Sequence, residues 1–313
     1  MDASTLGSNR DSLSSYSRQL RAGIDEMIQR GEEEYLRFTF LSAIQSITGH
    51  YTITPPNLTD LEMGLHDLWY TCIQAAKNIT SGEEKQDTLI RPLLAAKALG
   101  PLRQPSPTSD SGNGDCSNVD GVSTSYLEGY SIWSSLPLLN SDLIEEFTNR
   151  YYQKSHYDED QRANMAGFLG RLVSTGIYDG PDLCTLSLFR ETLEVSRPLI
   201  ADEDADQVSL EDLTGALEEL AQNSIFGLAV LASRNYRDHS SGIDPENYLH
   251  LSSIGELAAQ AGGIPSVGYS IERWDFWIQR LEELSNCGNE KIQSNVEGCL
   301  APMRQAREDT RLL

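Results

Sequence analysis

The spacing most like that of a metal site in this sequence occurs in an acidic run. Its carboxylates belong to Asp202, Glu203, Asp204 and Asp206. A calcium-binding EF-hand loop that begins at residue 202 requires glycine at its sixth position and glutamate at its twelfth. Those positions hold Gln207 and Leu213, which excludes an EF-hand. The spacing also resembles the Mg²⁺-binding motif of all-α terpene cyclases, but the sequence has no matching Asn/Ser/Glu triad further on. We therefore expect a solvated loop before the next helix, and neither a metal nor a cofactor.

Nucleophilic and nucleotide chemistry have little support in the sequence. The pair His66-Asp67 is like one half of a phosphohydrolase metal site, but no second pair completes it. Residues 263–268 place Ser266 one position too late for the Gly-x-Ser-x-Gly nucleophile elbow. A phosphate-binding glycine loop and a dinucleotide fingerprint are also missing from the sequence. These patterns assign no catalytic residue.

The most specific side-chain cluster is predicted on a helix at residues 271–284, which carries two of the four tryptophans. Ser270 stands at the N-cap position, and helical spacing places Trp274 and Trp277 on one side. Arg273 precedes Trp277 by four residues, so its guanidinium can stack on the indole. Such a cluster is either a core anchor or the wall of a binding groove, and the core anchor is favoured.

A second polar pair is predicted on a helix that begins near residue 158. Asn164 and Arg171 are seven residues apart on one side of this helix. Facing the tryptophan helix, they would either hold a small ligand or pin two helices together, and pinning is favoured. The ligand-binding candidates are Trp133, Asn164, Arg171, Arg273, Trp274 and Trp277. If the groove were instead catalytic, the acid/base candidates would be Glu272, Asp275 and Arg273.

Helical periodicity dominates the elements that would position these side chains. Apolar residues recur at intervals of three and four along most of the chain, and no segment alternates apolar and polar residues as a half-buried strand does. The predicted helices lie near residues 13–30, 32–49, 58–79, 87–99, 143–151, 158–176, 183–193, 210–220, 224–236, 271–284 and 290–311, with a short extended piece at 51–53. The predicted fold is all-α, a multi-helix globular array with a disordered linker and no substantial sheet.

Composition predicts how the chain is divided. Residues 100–121 are rich in Pro, Ser, Gly, Asn and Asp and contain almost no large apolar side chain, so they cannot bury enough surface to offset the entropy lost on ordering. We expect a disordered tail at 1–12, an N-terminal helical unit at 13–100, a flexible linker at 101–125 and a C-terminal helical unit at 126–313. We expect the two helical units to share one core.

Charge and cysteine content limit the classes of partner. The net charge is −23, from 47 acidic and 24 basic side chains. Such a surface repels phosphate backbones and anionic lipids, so we expect no nucleic-acid and no membrane partner. The chain has no secretory leader pattern and no apolar run long enough to cross a bilayer, and its five cysteines follow no zinc or disulfide spacing. A soluble cytoplasmic protein with reduced thiols is expected.

Four segments resemble a fungal family known as domain of unknown function 3632. They are Trp133 with Leu136-Pro137, residues 164–172, residues 186–194, and the Arg-Trp-Asp-Phe-Trp motif that begins at Arg273. Together they cover about residues 130–311. The chain departs from the family pattern at Arg162 and at residues 225–227, where the family has tryptophan. The resemblance implies a filamentous-fungal, mostly helical, soluble protein of undetermined activity, with some relatives encoded near secondary-metabolite genes. It supplies no catalytic residue.

From these observations we expect a non-catalytic protein that binds either a protein partner or a small hydrophobic metabolite in an aromatic groove, with a connection to secondary metabolism. The alternative is an all-α biosynthetic enzyme that acts on a hydrophobic metabolite in the same groove.

Overall fold

The computed structural model describes residues 15–53, 58–81, 84–100, 132–176, 182–201, 206–237 and 245–311. Regular structure in these ranges is helical, and extended pairing is limited to two isolated antiparallel bridges, Gln153 with Gln207 and Ser253 with Val267. This confirms the all-α prediction. The helices are α1 (Ser15–Gln29), α2 (Glu33–Ile53), α3 (Leu58–Asn78), α4 (Glu84–Ala98), α5 (Ile132–Ser135), α6 (Leu139–Glu146), α7 (Glu159–Thr175), α8 (Asp182–Leu193), α9 (Leu210–Ser233), α10 (Pro245–Ser252), α11 (Glu256–Ala261), α12 (Ile271–Leu284) and α13 (Glu290–Thr310).

Three local predictions differ from the structure. Residues 51–53, expected to be extended, form the last turn of α2. The helix expected at 143–151 becomes π-helical after Glu146, over Phe147–Tyr151. The two helices expected at 210–220 and 224–236 are the single helix α9. Asn223 and Ser224 do not interrupt it because their side chains donate to the carbonyls of Glu219 and Leu220 inside the helix, at 2.7 Å each.

The chain folds into two compact units, Met1–Gln74 with Arg91–Leu139, and Ala75–Ile90 with Asn140–Leu313. Helices α3 and α4 therefore contribute residues to both units, and the turn between them belongs to the second. The predicted tail, the predicted linker and most of the acidic run at 202–206 lie outside the described residues. The predicted domain boundaries and the shared core stay predictions.

The second unit is organised around α9, which packs against α7, α13, α8 and α12. Glycines allow two of these close approaches. An ideal Cβ at Gly170 on α7 would lie 2.7 Å from the Cβ of Asn223, and one at Gly298 on α13 would lie 2.1 Å from the carboxylate of Glu218. A larger residue at Gly170 would push α7 away from α9, whereas one at Gly298 would first displace the flexible side chain of Glu218.

Side-chain caps fix where these helices begin. Asp158 and Gln161 form a reciprocal capping box at the start of α7, and Ser209 and Asp212 form another at the start of α9. Asn289 caps α13 by accepting a hydrogen bond from the backbone of Ile292 at 3.0 Å. Among the described helices, none is both long and apolar enough to cross a lipid bilayer.

Candidate functional site

Helix α12 brings three of the predicted site residues, Arg273, Trp274 and Trp277, to one buried position. Ser270 caps the helix as predicted, because its hydroxyl accepts a hydrogen bond from the backbone N–H of Arg273 at 3.1 Å. All three side chains have 0% of their surface exposed. The guanidinium carbon of Arg273 lies 5.6 Å from the centre of the Trp277 ring, which is a cation–π contact.

Glu194 is the charge partner of Arg273, and sequence analysis did not single it out. Arg273 donates from Nε to Oε1 at 2.5 Å and from Nη2 to Oε2 at 3.0 Å, which is a bidentate ion pair. The indole N–H of Trp277 donates to Oε1 at 2.6 Å, and the backbone N–H of Gly255 donates to Oε2 at 2.7 Å. Four hydrogen bonds thus occupy this carboxylate, whose side chain is fully buried.

The remaining donors of Arg273 hold backbone carbonyls. Nη1 donates to the oxygens of Ser252 at 2.9 Å and Gly268 at 2.8 Å, and Nη2 donates to that of Ser253 at 3.1 Å. With the two bonds to Glu194, all five N–H groups of the guanidinium have acceptors inside the protein. A buried ion pair tolerates the loss of its hydration only with such complete pairing.

An aromatic cluster surrounds this ion pair. Phe189 on α8 stacks on Trp277 with ring centres 4.5 Å apart, and Trp274 lies 5.9 Å from Trp277 at an angle of 57°. Tyr269 meets Trp277 edge to face at 6.1 Å, and its hydroxyl donates to the carbonyl of Asp182 at 3.0 Å. Burial raises the pKa of Tyr269 well above its ordinary value. The phenol is therefore neutral and acts as a hydrogen-bonding group within the core.

One sequence signal points to Glu194. Helix α8 is buried on every side, with 11 of its residues inaccessible to solvent, and Glu194 follows it directly. An acidic residue that ends such a segment needs a buried cationic partner, because an isolated charge in the interior is costly. Which arginine supplies the partner depends on a contact across 79 residues, and no local pattern encodes it.

Asn164 and Arg171 take part in a different network. The side chain of Asn164 accepts from the backbone N–H of Ser81 at 2.9 Å and donates to the carbonyl of Lys77 at 3.1 Å. Arg171 donates to Ser81 O at 2.7 Å, to Gln86 Oε1 at 3.1 Å and to Asp87 Oδ1 at 3.0 Å. All of these partners lie at the end of α3, in the α3–α4 turn or at the start of α4, and not on α12.

Gln86 completes that network. Its fully buried amide donates to the carbonyls of Ala76, Ile79 and Asn164 at 3.2, 2.9 and 2.8 Å. The network therefore pins α7 to the α3–α4 turn. Helix pinning is the role that the sequence favoured for Asn164 and Arg171, although the partner helix is not the one expected.

Trp133 lies in the first compact unit, apart in the chain from the other candidates. It is fully buried, and its indole N–H donates to the hydroxyl of Thr48 at 3.0 Å. In the same unit the indole N–H of Trp69 donates to the carbonyl of Pro137 at 2.7 Å. The neighbouring Leu136 and Leu138 have φ angles of 45° and 69°, so the corner around this proline has a tightly constrained backbone.

The alternative acid/base candidates Glu272 and Asp275 point away from the tryptophans. Both are exposed, and Asp275 accepts two hydrogen bonds from Arg307 on α13, at 2.7 and 3.2 Å. The hydrogen bond to Asp275 raises the pKa of Arg307. These side chains join the outer surfaces of α12 and α13.

A further buried polar cluster, at the π-helical segment, was not predicted from the sequence. Arg162 donates to the carbonyls of Tyr151 at 3.1 Å and Gln153 at 3.2 Å, which supplies partners to backbone oxygens at the end of the segment. The hydroxyl of Tyr157 donates to the buried carboxylate of Glu146 at 2.9 Å, and burial raises the pKa of Tyr157 well above its ordinary value. Arg162 is thus a structural residue at a position where the resemblance leads one to expect tryptophan.

The described residues contain no group of three or more His, Cys, Asp or Glu side chains placed to hold a metal ion. Three of their four cysteines, Cys72, Cys184 and Cys299, are buried, and burial raises the pKa of each thiol far above its ordinary value. A thiol is a nucleophile only as thiolate, so these three are structural.

The helical architecture and these buried networks define an all-α protein in which buried charged side chains hold backbone segments in place. The model of the family "Protein of unknown function (DUF3632)" matches residues 69–281, and the chain belongs to this family. This confirms the resemblance, and the matched range begins earlier than expected and ends before α13. The chain is also 26% identical over 290 residues to "Oxopyrrolidines biosynthesis cluster protein G" of Penicillium oxalicum, covering 90% of this chain and 76% of that protein. A designed armadillo repeat protein aligns over 95% of this chain and 96% of its own chain, at 13% identity. The TM-score is 0.25, which is too low to indicate a shared fold.

Proposed function

We propose that this chain is a fungal, non-catalytic binding protein of secondary metabolism that takes up a small hydrophobic metabolite. The connection to secondary metabolism is supported by the relative from Penicillium oxalicum, whose name places it in a biosynthesis cluster. The binding role is supported by the aromatic cluster on α8 and α12, where two indoles and a phenyl ring adjoin one charge pair.

One observation carries the non-catalytic part of this proposal. Glu194 and Arg273 are the charged side chains at the aromatic cluster, and their hydrogen-bonding capacity is used by the protein itself. A general acid or base must exchange its proton with a substrate along a free hydrogen-bonding direction. In this arrangement the carboxylate and the guanidinium hold the fold and each other.

Under this proposal, Arg273, Trp274 and Trp277 form the ligand site, and Asn164 and Arg171 shape the second unit around it. Trp133 stays a proposed ligand-binding residue of the first unit. A protein partner in place of the metabolite is the other form of the same proposal. A biosynthetic enzyme has less support, because Asp275 is bound to Arg307 on the outer surface and Glu272 is exposed beside it.

Thermal unfolding of the purified chain tests the proposal. Fractions of an organic extract from fungal cultures are added one at a time, and the midpoint Tm is followed by tryptophan fluorescence. A ligand that binds only the folded chain, present at 100 times its Kd, stabilises by about 2.7 kcal/mol, so at least one fraction should raise Tm by several degrees. If no fraction shifts Tm but a protein partner does, the metabolite form of the proposal is wrong.

A control variant separates the aromatic cluster from the rest of the surface. Phe226 on α9 is 51% exposed, so Phe226→Ala removes an aromatic ring without opening the core. An active fraction should still shift the Tm of this variant and should lose its effect in Trp277→Phe. Loss of the shift in Phe226→Ala with retention in Trp277→Phe would place binding elsewhere.

A further inference from the structure

The chain between α10 and α12 leaves and returns through a narrow neck. Ser253 and Val267 form an antiparallel bridge, and the backbone N–H of Ile254 donates to the carbonyl of Ser266 at 3.0 Å. The N–H of Gly268 donates to the carbonyl of Ser252 at 3.2 Å. Residues 253–267, which include α11, thus form a compact Ω-loop, and we call this segment the lid.

The lid is fastened mainly by polar contacts to one charge pair. Arg273 holds carbonyls on both sides of the neck, and Glu194 accepts from Gly255 N with its carboxylate and from Leu257 N, at 2.9 Å, with its backbone oxygen. At the outer edge, the carboxylate of Glu256 accepts from the backbone N–H of Ser196 at 2.7 Å. The lid itself is described in full, and only Gly255 and Ala258 in it are buried. The large apolar side chains of the lid are at most half-buried, so none of them anchors it in the core.

The lid lies directly on Glu194. An ideal Cβ at Gly255 would lie 2.5 Å from the carbonyl oxygen of Glu194 and 2.8 Å from its Cβ. The other oxygen of the Glu194 carboxylate accepts the indole N–H of Trp277, which stacks on Phe189. Lifting the lid would therefore uncover the ion pair first and the edge of the aromatic cluster next to it.

Because hydrogen bonds hold the lid, the free energy needed to open it is small. Lid opening exchanges hydrogen bonds within the protein for hydrogen bonds with water, so each broken bond has a small net cost. At the same time it returns hydration to two buried charges, whose desolvation is the main cost of a buried ion pair. Segments with few buried apolar contacts open locally while the rest of a domain stays folded. The core under the lid, with Trp274 and Trp277 fully buried, has no such compensation.

We propose that residues 253–267 are a lid that opens by local unfolding and admits a ligand to Glu194, Arg273 and Trp277. This inference rests on the proposed binding function and names the chemistry of the ligand. In the closed state, Nη1 and Nη2 of Arg273 hold three carbonyls in and beside the lid. When the lid lifts, the Nη2 hydrogen that holds Ser253 O and the Glu194 oxygen that accepts from Gly255 N lose these partners. They become available to a ligand that carries an oxygen acceptor beside an N–H or O–H donor on an apolar aromatic body. The oxygen of the ligand replaces the Ser253 carbonyl, its donor replaces the Gly255 N–H, and its aromatic body contacts the Trp277 indole.

Hydrogen–deuterium exchange followed by mass spectrometry tests the lid in the unmodified chain. We expect amides in residues 254–268 to exchange at least about tenfold faster than amides of α9, through an opening that leaves α9 protected. If the amides of residues 254–268 and of α9 exchanged at the same rate, through global unfolding alone, the proposal that the lid opens locally would be wrong.

A glycine substitution tests the same opening by sterics. Gly255 has φ −77° and ψ 172°, which alanine adopts readily, so the effect of Gly255→Ala comes from the clash with Glu194 alone. We expect about tenfold faster exchange in residues 254–268 and unchanged protection of α9. Gly23→Ala is the matched control, because nothing lies within 4 Å of its ideal Cβ. Equal lid exchange in the two variants would refute the mechanism.

The ligand chemistry is tested with 8-anilinonaphthalene-1-sulfonate, an aromatic anion whose sulfonate oxygens lie beside its anilino N–H. We expect the probe to bind more tightly to Gly255→Ala than to Gly23→Ala. We also expect it to quench tryptophan fluorescence in proportion to the amount of probe bound. Equal affinity for the two variants would overturn the ligand site beneath the lid. An extract fraction that raises Tm without altering lid exchange would leave the binding function in place and show that the lid does not serve it.

Discussion

Removal of Arg273 is the most direct test of the buried ion pair. In Arg273→Met the carboxylate of Glu194 loses two charge-assisted hydrogen bonds, and the carbonyls of Ser253 and Gly268 lose their side-chain donor, while that of Ser252 keeps the N–H of Gly268. Breaking one partner of a buried pair costs about 3–5 kcal/mol, and buried carbonyls without donors add to that cost. We expect the free energy of unfolding to fall by about 5 kcal/mol, a large part of the roughly 5–15 kcal/mol that a domain has.

Urea unfolding, followed by tryptophan fluorescence and circular dichroism, measures this loss. The matched control is Arg304→Met, because Arg304 pairs with Glu282 at 2.6 Å while both side chains are about half exposed. We expect that change to cost less than about 1 kcal/mol. Equal losses in the two variants would mean that burial does not increase the contribution of the Glu194–Arg273 pair to the free energy of unfolding.

A double variant separates the charge pair from the lid. In Glu194→Leu with Arg273→Met, no unpaired charge is left behind, so the loss should be about 2–3 kcal/mol smaller than the sum of the single losses. The double variant should still be less stable than the unmodified chain, because the carbonyls at the lid and the Trp277 N–H have no replacement partners. Strict additivity of the two single losses would refute the coupling inferred from the geometry.

Three further perturbations address the helices of the second unit. Gly170→Ala should destabilise by about 2 kcal/mol because its Cβ would lie 2.7 Å from Asn223, whereas Gly64→Ala, with nothing within 4 Å, should be neutral or stabilising; thermal unfolding compares them. Gln86→Leu removes the side-chain donor of the carbonyls of Ala76 and Ile79 and the acceptor of Arg171 Nη1, and it should cost about 3 kcal/mol in urea unfolding. A cost near zero would mean that water replaces the amide. Burial raises the pKa of Glu218 above its ordinary value, which means that the folded state favours the neutral carboxyl. The free energy of unfolding therefore falls as pH rises through the raised pKa and the carboxyl ionises. Glu218→Gln should accordingly raise Tm at pH 7 and make no difference near pH 3, and the opposite pH trend would contradict this assignment.

Most of the fold is accessible from the sequence because its signals are local. The apolar spacing of α12 and α13 and the caps Ser270 and Asn289 are encoded within a few residues, and the structure begins both helices at the predicted positions. The lid and the short helices α10 and α11 had no such signal. The lid is held by Arg273 and Glu194, which lie outside it.

Only part of the candidate site was predictable, because only part of it is encoded by residues close together in the sequence. Arg273 and the two tryptophans form a local motif, so their common position follows from helical spacing. The partners of Glu194 and Gln86 are recognisable only once the chain is folded, because they lie many residues away. The sequence shows that Arg171 needs a polar partner, but it does not show that the partner is the α3–α4 turn.

The assignment of residues 75–90 to the second compact unit affects how the chain can be divided for experiments. A fragment that begins at residue 126 follows the domain boundary predicted from the sequence, but it would lack Ser81 and Gln86, the partners of Asn164 and Arg171. Two-hybrid mapping or expression of such a fragment would report on a damaged α7, and loss of binding would be wrongly attributed to a missing contact surface. Fragments that start before α3 keep both partners and avoid this artefact.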